Sequence, residues 1–390
     1  MNTRPVIESS SNPAALSASF NQDASCFAVG SETGFCIFNS EPCQLRVSRD
    51  FNAGVGQVAM LGKANFIALL GGGKQPKFPQ NRVIIWDDAK QRIAIQLPVL
   101  STVRSVRLSR SHIVVALQNS VRVYTFASPP DVWGVFETAD NPFGLCCLSS
   151  KLLAFPGRTP GQVQIVELGS GNVSIIPAHG SSLRALDISR DGEVLATASE
   201  TGTLIRVFAT TNCARLAELR RGVDHATIFS LGISPSGQLL AVTSDKSTLH
   251  IFDIPHPTKA ARSETPNGHR RLTSMGGGGN AVAGEVDTSQ KWGILGRIPL
   301  LPRVFSDIYS FASARFEVGE EPLSGTATLA RSAGDVNPPP KGIIGWTSDH
   351  SIIVVGAGQD ARWEKFVIAD GEDGRRYCVR DGWKRYLGAS

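Results

Sequence analysis

The chain has 390 residues, 42% hydrophobic and 19% charged, which is ordinary globular material with length for one large or two medium domains. Its net charge of +5 is spread along the chain without a long Lys/Arg run, which argues against bulk attraction to nucleic acid but leaves a local anion site open. Seven cysteines form no C-x-x-C pair, and several sit in apolar runs such as Cys26-Phe27-Ala28-Val29, so they read as reduced core residues of a cytosolic protein and not as a disulfide frame or zinc site. The start, Met1-Asn2-Thr3-Arg4-Pro5, is polar, and no apolar run approaches about 18 residues, so neither secretion nor membrane spanning is expected.

Taken in order, one pattern keeps returning: an apolar run, a short turn of small or polar residues, then alternating residues ending on an apolar anchor. It runs Phe27–Phe38, Ile67–Asp87, Ile113–Tyr124, Leu152–Val166, Leu195–Phe208 and Leu239–Phe252, with a seventh copy at Ile352–Phe366. The first six anchors recur at about 38 to 48 residues, the period of a four-stranded propeller blade. With 39 glycines and 22 prolines favouring turns, the expected fold is all-β: a single seven-bladed β-propeller of WD-repeat type over 1–390. Trp86-Asp87 is the only W-D dipeptide, so the WD signature itself is weak.

The interval from Phe252 to Phe366 exceeds one period by about 70 residues. A flexible insertion in blade six is expected at 255–309, and a second Gly/Pro-rich loop at 319–340 precedes the last blade. The insertion begins polar and Gly-rich (Met275-Gly276-Gly277-Gly278-Gly279-Asn280) and then turns apolar. Its Trp292, Ile294, Leu295, Ile298, Leu300, Leu301, Val304 and Phe305, flanked by Lys291, Arg297 and Arg303, have interfacial composition and are candidates for membrane insertion. Packing against the propeller is the competing role, and Ser310 to Phe316 is expected to form the outer strand of blade six.

Gly71-Gly72-Gly73-Lys74 lacks phosphate-loop spacing and reads as a wide turn. No H-E-x-x-H, G-x-S-x-G or metal-ligand spacing occurs, so neither catalysis, a metal nor a cofactor is expected. The informative stretch is Leu219-Arg220-Arg221-Gly222. In extended backbone, neighbouring side chains point to opposite sides, so the two guanidinium forks aim into different places. Each can take a phosphate bidentately. Blade five adds His179, Ser199, Thr203 and Arg206; blade six adds Ser244, Lys246, Thr248 and His250. Solvated Arg pairs and polar turn residues are common, so the residues alone also allow a surface with no ligand.

Together these stretches resemble the PROPPIN family, β-propellers that bind phosphoinositides and include the WIPI proteins of animals and their yeast relatives. The resemblance covers most of the chain. It rests on Asn81–Asp88, Ala178-His179, Gly202–Arg206, Leu219–Gly222 and Ser244–Phe252. Leu219 stands where the family hallmark usually has Phe, and Ser247 where relatives often have Gly.

The resemblance implies two head-group pockets, one of Arg220, His179, Ser199, Thr203 and Arg206, the other of Arg221, Ser244, Lys246, Thr248 and His250. It implies phosphatidylinositol 3-phosphate and 3,5-bisphosphate as ligands, and a peripheral adaptor role on vacuolar, endosomal and pre-autophagosomal membranes. An autophagy lipid-transfer protein is the implied partner, and the protein is expected to be monomeric in solution. A propeller scaffold that binds only proteins is the alternative. Whether the ring closes by a strand exchanged between the termini is left open.

Overall fold

Each repeat read from the sequence is the second and third strand of a four-stranded antiparallel blade. The computed structural model describes residues 14–259, 308–319 and 339–388, and among these residues every regular element is a β-strand. Blades one to four span 15–50, 55–98, 105–137 and 147–177; blades five, six and seven begin at 183, 228 and 343. The ring is a seven-bladed β-propeller.

Burial explains the period. A blade's second strand packs against neighbouring blades on both faces, so it reads as a continuous apolar run: Cys26–Ser31, Val194–Ser199 and Leu239–Ser244 are buried throughout. Outer strands face solvent and lose the pattern, as Cys43–Asp50 does after its first residue. The core is accordingly a circuit of clusters between adjacent blades. One joins Ile205 and Leu219 of blade five to Ile228, Val242 and Phe252 of blade six.

The inner strands surround a channel of about 2720 Å³ on the ring axis. Four of them (Ala15–Phe20, Val55–Met60, Leu183–Ile188 and Ile228–Ile233) slip register at their first residues, leaving Leu16, Gly56, Arg184 and Phe229 bulged at the channel mouth.

Blade six is the exception to contiguity. The chain leaves its third strand (Thr248–Asp253) and supplies its outer strand only at Ala312–Arg315, as expected for the Ser310–Phe316 stretch. Just before that, Ile308–Tyr309 adds a fifth strand to blade five, parallel to Arg215–Arg220, with Leu219 opposite Ile308 and Arg220 opposite Tyr309. Residues 260–307 and 320–338 lie outside the described residues, and with them most of both expected loops.

Among the described residues the ring closes without strand exchange. Blade one is complete within 15–50 and blade seven within 343–385. Their seam is held by paired amides between Ala15 and Gly358 (3.0 and 2.8 Å) and by the Trp363 indole donating to the Ser40 carbonyl (2.9 Å). Tyr386 packs edge-on against Phe27 and Phe38, with ring centroids 5.2 and 5.4 Å away.

Candidate functional site

The outer strand of blade five carries the double arginine at its end. Ladder register sets Thr197 beside Arg206 and Arg206 beside Glu218, so these three share one face of the blade. Arg206 donates from Nε to Glu218 Oε2 (2.7 Å) and from Nη1 to the Ala178 carbonyl (2.6 Å), which ties the third strand to the entry segment of its own blade. Next to that carbonyl, His179 Nε2 lies 2.9 Å from Thr197 Oγ1, whose hydroxyl in turn donates to the Arg206 carbonyl (3.3 Å). The imidazole is therefore the donor in this pair. Burial, reinforced by the Arg206 charge, lowers the His179 pKa to about 4.

Ser199 is buried on the same face and shares a hydrogen bond with Thr201 (2.9 Å). Thr203 gives its carbonyl to the Arg221 amide (3.0 Å). Arg220 is half-buried opposite Leu204, and alternation puts it on the face of Arg206 and Glu218. Of the first set named from the sequence, His179, Ser199, Arg206 and Arg220 are thus gathered on the blade-five face, with Thr197 and Glu218 in addition, whereas Thr203 lies level with Arg221.

Arg221 turns the other way and is 9% exposed. Its Nε donates to the Gly202 carbonyl (2.8 Å) and Nη2 to the Asp224 carbonyl (2.5 Å). Gly202 has φ +62°, and a Cβ there would stand 1.8 Å from the Ala226 carbonyl oxygen, so only glycine offers that carbonyl to Arg221. Burial lowers the Arg221 pKa, while Asp245 and Asp224 act in the opposite direction.

His250 lies within this field: burial, then the Arg221 charge, lowers its pKa. Its Nδ1 is 3.1 Å from Ser310 Oγ, on the segment that returns to blade six. Ser244 is fully buried, and its hydroxyl accepts the Lys246 amide (3.4 Å). Lys246 itself is exposed. Ser247 has φ 56°, the left-handed region, which accounts for a preference for Gly at this turn. Thr248 Oγ1 is buried without a hydrogen-bond partner.

Four contributors were not named as site residues in the sequence reading: Thr197, Glu218, Asp245 and Ser310. Period-two alternation from Ser199 and Arg220 would have found the first two. Ser310 lies 60 residues from His250 in the chain, and no local signal joins them. The candidate insertion residues Trp292, Ile294, Leu295, Ile298, Leu300, Leu301, Val304 and Phe305 lie outside the described residues.

A separate cluster joins blades five and six. His256 Nε2 is 3.0 Å from Asp191 Oδ2 and its Nδ1 3.9 Å from Glu193 Oε2. Lys259 Nζ sits 3.2 Å from the same Asp191 oxygen, so the chain itself supplies the cation and the group acts as a rivet.

The family model that matches this chain is that of the PROPPINs, over residues 14–277. The chain belongs to the PROPPIN family. This PROPPIN is 61% identical to SVP1-like protein 2 of Emericella nidulans over 331 residues, covering 85% of the chain and 99% of that relative. It is 47% identical over 435 residues to SVP1-like protein 2 of Neurospora crassa, covering 100% and 99%.

Among solved structures, Hsv2 of Kluyvelomyces marxianus superposes with a TM-score of 0.71 at 23% identity, covering 96% of this PROPPIN and 99% of that chain. A complex of KlAtg21 with the coiled coil of AgAtg16 aligns with a TM-score of 0.65 at 19% identity, covering 95% and 99%. Both are likenesses of fold.

Proposed function

We propose that this PROPPIN is a phosphoinositide-binding peripheral membrane adaptor without catalytic activity, acting in autophagy and related vacuolar or lysosomal traffic. The observation that carries the reading is the alternation of Arg220 and Arg221 onto opposite faces at the end of one outer strand, Arg220 on the face of Arg206, whose charge acts on the desolvated His179, and Arg221 close enough to act on the desolvated His250. Arg220, with His179, Ser199, Thr203 and Arg206, takes one 3-phosphorylated inositol head group. Arg221, with Ser244, Lys246, Thr248 and His250, takes the second. The unpartnered Thr248 hydroxyl supports the second assignment, because a buried polar group without a partner is costly until something fills the role.

Phosphatidylinositol 3-phosphate and the 3,5-bisphosphate are the proposed lipids. Two pockets facing one membrane make the second contact nearly intramolecular, so modest single-site affinities combine. Contact by the apolar part of the insertion, Trp292 to Phe305, would add a third. Recruitment of protein partners is in keeping with a structural neighbour solved with a coiled coil of Atg16, and an autophagy lipid-transfer protein is proposed among them on the family resemblance alone. Among the described residues no helix is long and apolar enough to cross a membrane.

Flotation with vesicles containing phosphatidylinositol 3-phosphate tests the reading. Arg220→Thr and Arg221→Thr should each weaken flotation about tenfold, the cost of losing one charge-assisted pair, and the double substitution should nearly abolish it. Undiminished flotation of the double variant would instead favour a propeller that binds only proteins.

A further inference from the structure

Several cations outside the channel are paired with acids: Arg362 and Arg385 share Asp360 (2.7 Å each), Arg380 meets Glu364 (3.1 Å) and Arg49 meets Asp88 (2.8 Å). Along the channel, Lys74, Arg104, Arg107, Arg110, Arg184 and Arg190 make no side-chain ion pair among the described residues. The acids there are few and already engaged. Asp23 is held by Lys63 (3.0 Å), Glu32 accepts the Lys74 amide (2.9 Å) and Asp187 accepts the Ile233 amide (2.8 Å). Burial raises the Asp187 pKa to about 7, which trims its negative charge further.

The channel has two unlike ends. At the end where the inner strands begin, Arg104 leans on Gln118 Oε1 (3.0 Å) and the Arg184 guanidinium lies 4.1 Å from the Phe143 ring centroid. Arg107 is exposed farther in; its Nη1 donates to the Val106 carbonyl (3.1 Å), and its charge acts on the buried Asp187. At the other end, Arg190 Nη2 bonds the Asp23 and Trp346 carbonyls (3.1 and 3.2 Å), spanning from blade five to blades one and seven. The result is a cationic cup, open at one mouth and narrowed by Arg190 at the other. A concave, low-dielectric wall of one sign concentrates its field on whatever enters.

We propose that this cup binds a small, soluble polyphosphate anion of the inositol-phosphate class, held by Arg104, Arg107 and Arg184. Guanidinium forks suit phosphate oxygens, and three of them at two depths suit a compact anion with several phosphates. The Arg190 side chain narrows the far mouth, which disfavours a peptide threaded through the ring. A lipid anchored in a bilayer lying against the rim does not present its head group on the ring axis. The site is independent of the rim pockets.

Calorimetric titration with inositol hexakisphosphate at physiological salt tests the cup, performed on the Arg220→Thr plus Arg221→Thr protein so that the rim sites are silent. One site per chain is expected. Adding Arg107→Gln or Arg104→Gln should weaken it at least about tenfold, while each variant keeps the parent's unfolding midpoint. Arg107 is the safer position, because it is exposed and its hydrogen bond goes to the adjacent Val106 carbonyl. Absence of binding, or affinity indifferent to both substitutions in folded protein, would overturn the proposal. So would an acidic peptide that binds with the same Arg107 dependence where inositol hexakisphosphate does not. If the polyphosphate binds the cup but flotation of the unmutated protein does not depend on the rim arginines, the cup stands and the membrane reading falls.

Discussion

His179 enters the blade-five cluster as a neutral imidazole. Its native pKa is about 4 against roughly 6.5 in the unfolded chain, burial being the larger cause and Arg206 the second. As pH falls below about 6.5 the unfolded state takes up the proton first, so this contribution to stability is complete above 6.5 and is lost as pH falls toward 4. The full effect is on the order of 3 kcal/mol. Urea midpoints measured between pH 7 and 5 should fall more steeply for the parent than for His179→Asn; equal slopes would show that the residue is solvated. At neutral pH, therefore, the single N–H of His179 is spent on Thr197, so the imidazole orders the wall while Arg206 and Arg220 supply the charge. Much of this was legible in the primary structure, because alternation alone separates Arg220 from Arg221. What was not legible is the commitment of Arg206 to Glu218 and the Ala178 carbonyl, which depends on how two strands and an entry loop meet.

At the scale of elements, the second and third strands of all seven blades announce themselves because both faces of the second are buried. Outer strands do not, since solvent on one side relaxes the pattern. The Ile308–Tyr309 strand is less visible still: two exposed residues paired in parallel leave no periodicity to read. That short strand covers the edge of the strand that bears both arginines, and the next residue, Ser310, reaches His250. Replacing both residues by proline removes their donors and uncovers the edge. Amide exchange at Arg220, whose N–H faces that edge while the Arg221 amide is bonded to Thr203, should then accelerate by about tenfold, the equivalent of one net hydrogen bond, with flotation weakened alongside. Unchanged exchange would mean that blade five holds this edge unaided.

For the whole molecule, closure is a contact problem between the first and last blades and not a shared-strand problem. Only the packed ring could reveal this, since the partners Ser40 and Trp363 are 323 residues apart. Trp363→Phe keeps an aromatic ring at the seam but leaves the fully buried Ser40 carbonyl without the indole donor, at a cost of about 1–3 kcal/mol. The unfolding midpoint should fall accordingly, and the Ala15 and Gly358 amides should lose protection more than those of blade four.

The divided blade six also sets an order of assembly. During synthesis, blades one to four each become complete when their own last residue emerges, because each is read from one uninterrupted run. Blade five stays open-edged beside Arg220 until Ile308 and Tyr309 are made, and blade six waits for Ala312 to Arg315. The wall that carries the double arginine is thus among the last parts of a nascent ring to be finished, and a chain halted before residue 308 would display that edge bare to the folding machinery of the cell.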